Sequence, residues 1–121
     1  MPVIERTIQV NFRHQVHFTH RVFDPANPLL RDILVNEEAR ASHNALVVLD
    51  EALALAQPAL AKQIEAYFAA FSASLILVCP PLIIEGGERT KNSYFHVSEI
   101  QSHVDRYHID RHSYVIAVGG G

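Results

Sequence analysis

Three short apolar runs constrain the fold of this chain more than anything else in it: ALVVL at 45–49, SLILVC at 74–79 and SYVIAV at 113–118. Each is continuous rather than alternating, and each is stopped by polar residues, prolines or glycines. Runs of that length fit strands covered on both faces, as in parallel sheets. Amphipathic stretches lie between them. Residues 58–71 open with Pro58 and place Leu60, Ile64, Tyr67, Phe68 and Phe71 at helical spacing, and residues 91–107 do the same with Val97, Ile100, Val104 and Tyr107. Buried strands alternating with amphipathic helices specify βαβ units, so the fold class is α/β with a mostly parallel sheet.

The first forty residues read differently. Segments 3–11 and 14–19 carry alternating apolar positions and are separated by Phe12-Arg13, a pattern that predicts an antiparallel β-ribbon. Asn27 followed by Pro28 is a helix-start signature, because asparagine caps free amides and proline fits the first helical position. A helix over about 28–38 follows, with Leu29, Leu30, Ile33 and Leu34 on one face. A short PLIIE segment (81–85) precedes Gly86-Gly87. No repeat, low-complexity tract or internal boundary divides the chain, so residues 1–121 are expected to form one domain.

With 49% hydrophobic and 19% charged residues, the chain has enough apolar material for a core and lies far from the disordered class. A net charge of −3 gives no electrostatic reason to expect nucleic acid or an anionic membrane as partner. No apolar run is long enough to span a bilayer, and MPVIERTIQV lacks the pattern of a signal peptide. Cys79 is the only cysteine and has no disulfide partner within the chain. A cytoplasmic protein is expected.

Ligands of open parallel sheets sit beyond the carboxyl ends of the strands. Three features fall there: Asp50-Glu51 after ALVVL, GGERTK after PLIIE, and Gly119-Gly120-Gly121 after SYVIAV. A strand-end acid such as Asp50 accepts hydrogen bonds from ribose hydroxyls in dinucleotide sites, but it serves equally as a helix N-cap or a solvated loop acid. Glu88 and Lys91 stand three apart on what reads as a first helical turn. They suit a hydroxyl and a phosphate or carbonyl oxygen, or simply an ion pair at a surface turn. Three glycines after a buried strand let backbone amides approach a pyrophosphate, and the same composition also describes a terminal linker.

The order of VVLDE (47–51), GGERTKNS (86–93) and HIDRHSYVIAVGGG (108–121) resembles the N-terminal domain of the 3-dehydroquinate synthase family of sugar-phosphate cyclases, over essentially the whole chain. The opening VHFTHRVFDPANPLL (16–30) looks closer to a related bacterial branch than to the biosynthetic enzyme. The resemblance implies a Rossmann-like domain that binds NAD. Asp50, Glu88 and Lys91 would contact the ribose and nicotinamide side, and Gly119, Gly120 and Gly121 would approach the pyrophosphate. It also implies a lyase that transiently oxidises a sugar phosphate, eliminates phosphate, reduces the ketone and closes a carbocycle by intramolecular aldol addition. Zinc or another divalent metal would act as Lewis acid, held by a glutamate and two histidines of a C-terminal domain beyond these 121 residues. On that expectation this chain alone is inactive, holds NAD weakly, and carries neither catalytic residues nor metal ligands. The alternative is a stand-alone Rossmann-like module that binds a nucleotide or associates with itself without catalysis.

Eight histidines invite a metal site, yet His14, His17 and His20 do not converge from a strand, and His103 and His108 fall on different helix faces. They read as surface or ribbon-face residues. Cys79, ending a buried-looking run, reads as a small core residue. An apolar interdomain face left uncovered predicts a homodimer or higher oligomer.

Overall fold

The computed structural model describes residues 2–35, 42–86 and 94–120. Its elements in chain order are α1 (Leu29–Val35), β1 (His43–Asp50), α2 (Glu51–Ala56), α3 (Leu60–Ala70), β2 (Leu75–Leu77), β3 (Leu82–Ile84), α4 (Tyr94–Arg106) and β4 (Tyr114–Val118). Every strand pairing is with β1 and is parallel. Ala45 pairs with both Leu77 and Tyr114, while Val48 and Leu49 each pair into both β3 and β4. A strand has two edges, so β4 holds one and β2 and β3 run successively along the other. The chain is therefore an α/β structure with β1 at the centre of its sheet.

The prolines explain the split edge. In β1, Leu46 and Val47 separate the positions paired with Leu77 and Leu82, whereas Val78, Cys79, Pro80 and Pro81 separate those two residues on the partner. Val78 N still donates to Ala45 O (3.1 Å). Pro80 and Pro81 have no amide hydrogen to continue the ladder, so the chain bulges outward and pairing resumes at Leu82.

β1 is covered on both faces, as its continuous apolar run requires. Ala45, Val47 and Leu49 join Leu34 of α1, Leu60, Ile64, Tyr67 and Phe68 of α3, and Leu75 of β2 in one buried cluster. Leu46 is fully buried on the opposite side. Tyr67 anchors the cluster: its ring meets Phe71 edge-on at 4.9 Å and Phe23 at 5.9 Å. Its hydroxyl donates to Asn27 O and accepts from Arg31 N, both at 3.1 Å. Asn27 caps α1 through Leu29 N (3.1 Å), as the Asn-Pro signature requires, and its amide also donates to His20 O (2.8 Å).

The apolar face expected on the last helix is only partly covered, with Val97 46% exposed and Ile100, Val104 and Tyr107 half-buried, and four further differences from the sequence reading bear on the fold. β1 begins at His43, two residues before the apolar run, and His43 is 1% exposed against the Tyr114 ring rather than on the surface. As an odd-numbered residue of β1 it shares the core-facing side with Ala45 and Val47. α2 follows β1 without a loop; at six residues it is too short to show a helical period in sequence. α4 ends in a Schellman motif with His108, not glycine, in the left-handed region (φ 52°): Ile109 N donates to Val104 O (2.9 Å) and His108 N to Asp105 O (3.2 Å).

The fourth difference is the largest. No strand forms over residues 2–19, where an antiparallel ribbon was expected, and residues 2–21 are exposed throughout. A two-residue turn at Phe12-Arg13 pairs Asn11 with His14, and so sets Val10 opposite Gln15 and Gln9 opposite Val16. The two halves then present their apolar side chains to opposite faces. Nor does Phe-Arg supply the positive-φ residues of tight hairpins. A lone two-stranded ribbon with no core to cover is at best marginal.

Candidate functional site

The carboxyl ends of β1, β3 and β4 meet at one rim. Val48, Leu49 and Asp50 of β1, Ile84 to Gly86 at the end of β3, and Ala117 to Gly120 at the end of β4 line a single hollow of about 320 Å³. Its position follows from topology. The first crossover, through α2 and α3, carries the chain from β1 to one edge, and the second, through α4, carries it to the other. Where successive crossovers leave a parallel sheet in opposite directions, a crevice opens beyond the strand ends.

Asp50 occupies the N-cap position of α2 with extended backbone (φ −62°, ψ 128°), but its side chain makes no capping hydrogen bond. Its Oδ1 is buried and has no hydrogen-bond partner among the described residues. The carboxylate lies against Gly86, where a β-carbon would come within 2.5 Å of Oδ1. Gly86 is therefore the space in which the Asp50 carboxylate sits, and any side chain there displaces it. Gly119 packs at ordinary distance, its would-be β-carbon 3.5 Å from Asp50 Cβ, and nothing lies within 4 Å of one placed on Gly120. The backbone at Gly120 is open to the close approach of a ligand.

Of the residues singled out in sequence, Asp50, Gly119 and Gly120 are brought together. Glu88, Lys91 and Gly121 lie outside the described residues. Sequence reasoning assigned Gly86 only a turn and did not single out Glu85; both line the hollow. The signal for them was positional, since they follow directly on β3. With Asp50 and Glu85 both acidic, the described part of the rim favours hydroxyl or amine donors over a bare phosphate. An anion would be met at the glycine backbone instead. At about 320 Å³ the hollow is at the small end of ligand sites and holds one ring-sized moiety rather than a whole dinucleotide.

Among the described residues no three His, Cys, Asp or Glu side chains are placed to hold a metal ion. No helix among them is long and apolar enough to cross a membrane. Cys79 lies in the bulge between β2 and β3; burial pushes its thiol up, against the opposing pull of Arg106. It is half-buried and lies outside the buried core in which the sequence reading placed it, and burial outweighs the Arg106 charge, which is not the activated setting of a nucleophile. In comparisons with family models, curated proteins and solved structures, nothing matches this chain.

Proposed function

We propose that this rim binds the ribose and pyrophosphate of NAD, as the nucleotide-binding part of a 3-dehydroquinate synthase-like sugar-phosphate cyclase with a Rossmann-like sheet. One observation carries the reading: a buried, unpartnered carboxylate oxygen of Asp50 facing a glycine-lined hollow where the crossovers diverge. An orphaned buried acceptor costs about 1–3 kcal/mol, a cost that a ligand hydroxyl removes. The residues present fit that part of the cofactor. Asp50 would accept from the ribose hydroxyls, and the Gly119 and Gly120 amides would approach the pyrophosphate; Glu88, Lys91 and Gly121 complete the proposed set. NAD, when bound, supplies a reversible hydride acceptor. This chain's own residues orient it, and none of them is assigned a catalytic step.

Titration with NAD, followed by amide chemical shifts, tests the reading. Shifts are expected at Asp50, Gly86, Gly119 and Gly120, even at millimolar affinity. Shifts confined elsewhere, or none at saturating NAD, would remove the cofactor assignment.

A second reading is a nucleotide-binding module without catalysis; among the described residues Asp50 and Glu85 are the titratable groups that line the hollow. The gene beyond codon 121 separates the two. An aspartate soon after the glycines, then a glutamate and two histidines, supports the cyclase; a stop codon supports the module.

A further inference from the structure

A second hollow, of about 720 Å³ and so more than twice the volume of the one at the rim, lies between the loop 21–25 and the start of α3. The two share no lining residue. Its bottom is apolar: Leu60 is buried, and Phe23 is half-buried with its ring edge-on to Tyr67. Four polar residues complete the lining, half-buried Asp24 and exposed Arg21, Gln57 and Gln63. The volume falls in the range of about 300–1,000 Å³ typical of small-molecule sites, as does the combination of apolar bottom and few polar groups.

The loop that carries Arg21 and Asp24 is fixed by its own backbone. Asp24 N donates to Arg21 O (3.0 Å) and Asn27 N to Asp24 O (2.8 Å), closing two successive turns. Asp24 Oδ1 accepts from Ala26 N (2.9 Å). Arg21 takes the left-handed region (φ 52°), a conformation that glycine adopts at lower cost. Its guanidinium nevertheless forms no hydrogen bond or ion pair among the described residues, not even with Asp24 three residues on. Two opposite charges thus line one hollow without neutralising each other. A plain anion is drawn to Arg21 and repelled by Asp24, and a plain cation the reverse; only a ligand bearing both signs is attracted by both. A guanidinium suits a carboxylate, a carboxylate suits an ammonium, and the Gln57 and Gln63 carboxamides can donate to and accept from an amide.

We infer that this hollow binds a small zwitterion with an apolar body, of the dipeptide class. Its carboxylate meets Arg21, its ammonium meets Asp24, and its apolar side chains lie over Phe23 and Leu60. The site is separate from the nucleotide rim and does not rest on the reading of that rim.

The experiment titrates the full chain with leucyl-leucine and follows amide chemical shifts, beside two analogues. N-acetyl-leucyl-leucine lacks the ammonium, and leucyl-leucinamide lacks the carboxylate. Leucyl-leucine should move the amides of Phe23, Asp24, Gln57 and Gln63, and bind about three- to tenfold more tightly than either analogue, one charged contact being lost in each. Arg21→Gln should abolish the advantage over leucyl-leucinamide and keep that over the acetylated form. Asp24→Asn should do the reverse, while retaining an Oδ1 for Ala26 N. An unchanged urea midpoint shows that each variant folds. No shifts at these residues with saturating dipeptide, equal binding of all three compounds, or variants that weaken all three alike would overturn the inference. So would acetylated dipeptide binding as tightly as the free one, which would make the hollow a site for a plain carboxylate.

Discussion

The N-terminal arm (residues 2–19) and β1 are both rich in apolar residues and both strand-like in composition, yet β1 is largely buried and the arm is exposed along its whole length. The difference is the period. β1 is apolar at consecutive positions, so both of its faces need cover; Ala45, Val47 and Leu49 are buried on one face and Leu46 on the other, within the chain. The arm is apolar at every second position, so it needs a single face covered in a matched register, and its own sequence cannot supply that through a tight turn. A continuous run is satisfied locally by wrapping; an alternating one depends on a partner.

That contrast is sharpest in the core. Leu49→Ala, fully buried in β1, should destabilise by about 2–5 kcal/mol in urea unfolding, because it leaves a cavity in the main cluster. Ile8→Ala in the arm should change the same measurement by no more than about 0.5 kcal/mol in dilute monomer. Comparable losses at the two sites would mean that the arm packs on the domain after all. Tyr67→Phe comes next, at about 1–3 kcal/mol, since it leaves Arg31 N at the start of α1 without its acceptor while keeping the ring contacts.

Gly86→Ala tests the rim. Asp50 Oδ1 is a movable side-chain end, so the stability cost should stay near or below about 1 kcal/mol while NAD-induced shifts at Asp50 disappear. Retained shifts would show that the carboxylate position does not matter for binding. His108→Gly should raise stability by about 0.5–1 kcal/mol, because glycine adopts the left-handed cap of α4 without strain.

The smallest effect is at Cys79. Its raised pKa means that the folded chain favours the neutral thiol. The associated stability is complete below the ordinary thiol range and is lost as pH climbs through the raised value. Unfolding midpoints followed into alkaline pH should fall more steeply for the wild type than for Cys79→Ser, and parallel curves would dismiss the effect.

Much of the fold was legible because it rested on continuous runs. ALVVL, SLILVC, PLIIE and SYVIAV all became strands, and the stretch from Pro58 became α3 on the predicted apolar face. That β2 and β3 share one edge was not legible, since register is decided by distant partners and only the double proline hinted at a break. At the site, Asp50 and the glycines were readable as strand-end residues. The space that Gly86 leaves for a carboxylate was not, because a glycine's absent side chain records nothing about its neighbours. His43 was misplaced for a related reason: polarity suggested an exterior, whereas its parity within β1 sent it inward.

The double proline has one more effect. A copy trying to lengthen the sheet beside β2 and β3 would meet two successive residues with no amide hydrogen to offer, in a border already buckled out of line. That side is a poor template for stacking copy upon copy. A molecule whose residues 4–18 hold alternating apolar side chains in solvent has good use for a margin that will not take a further strand.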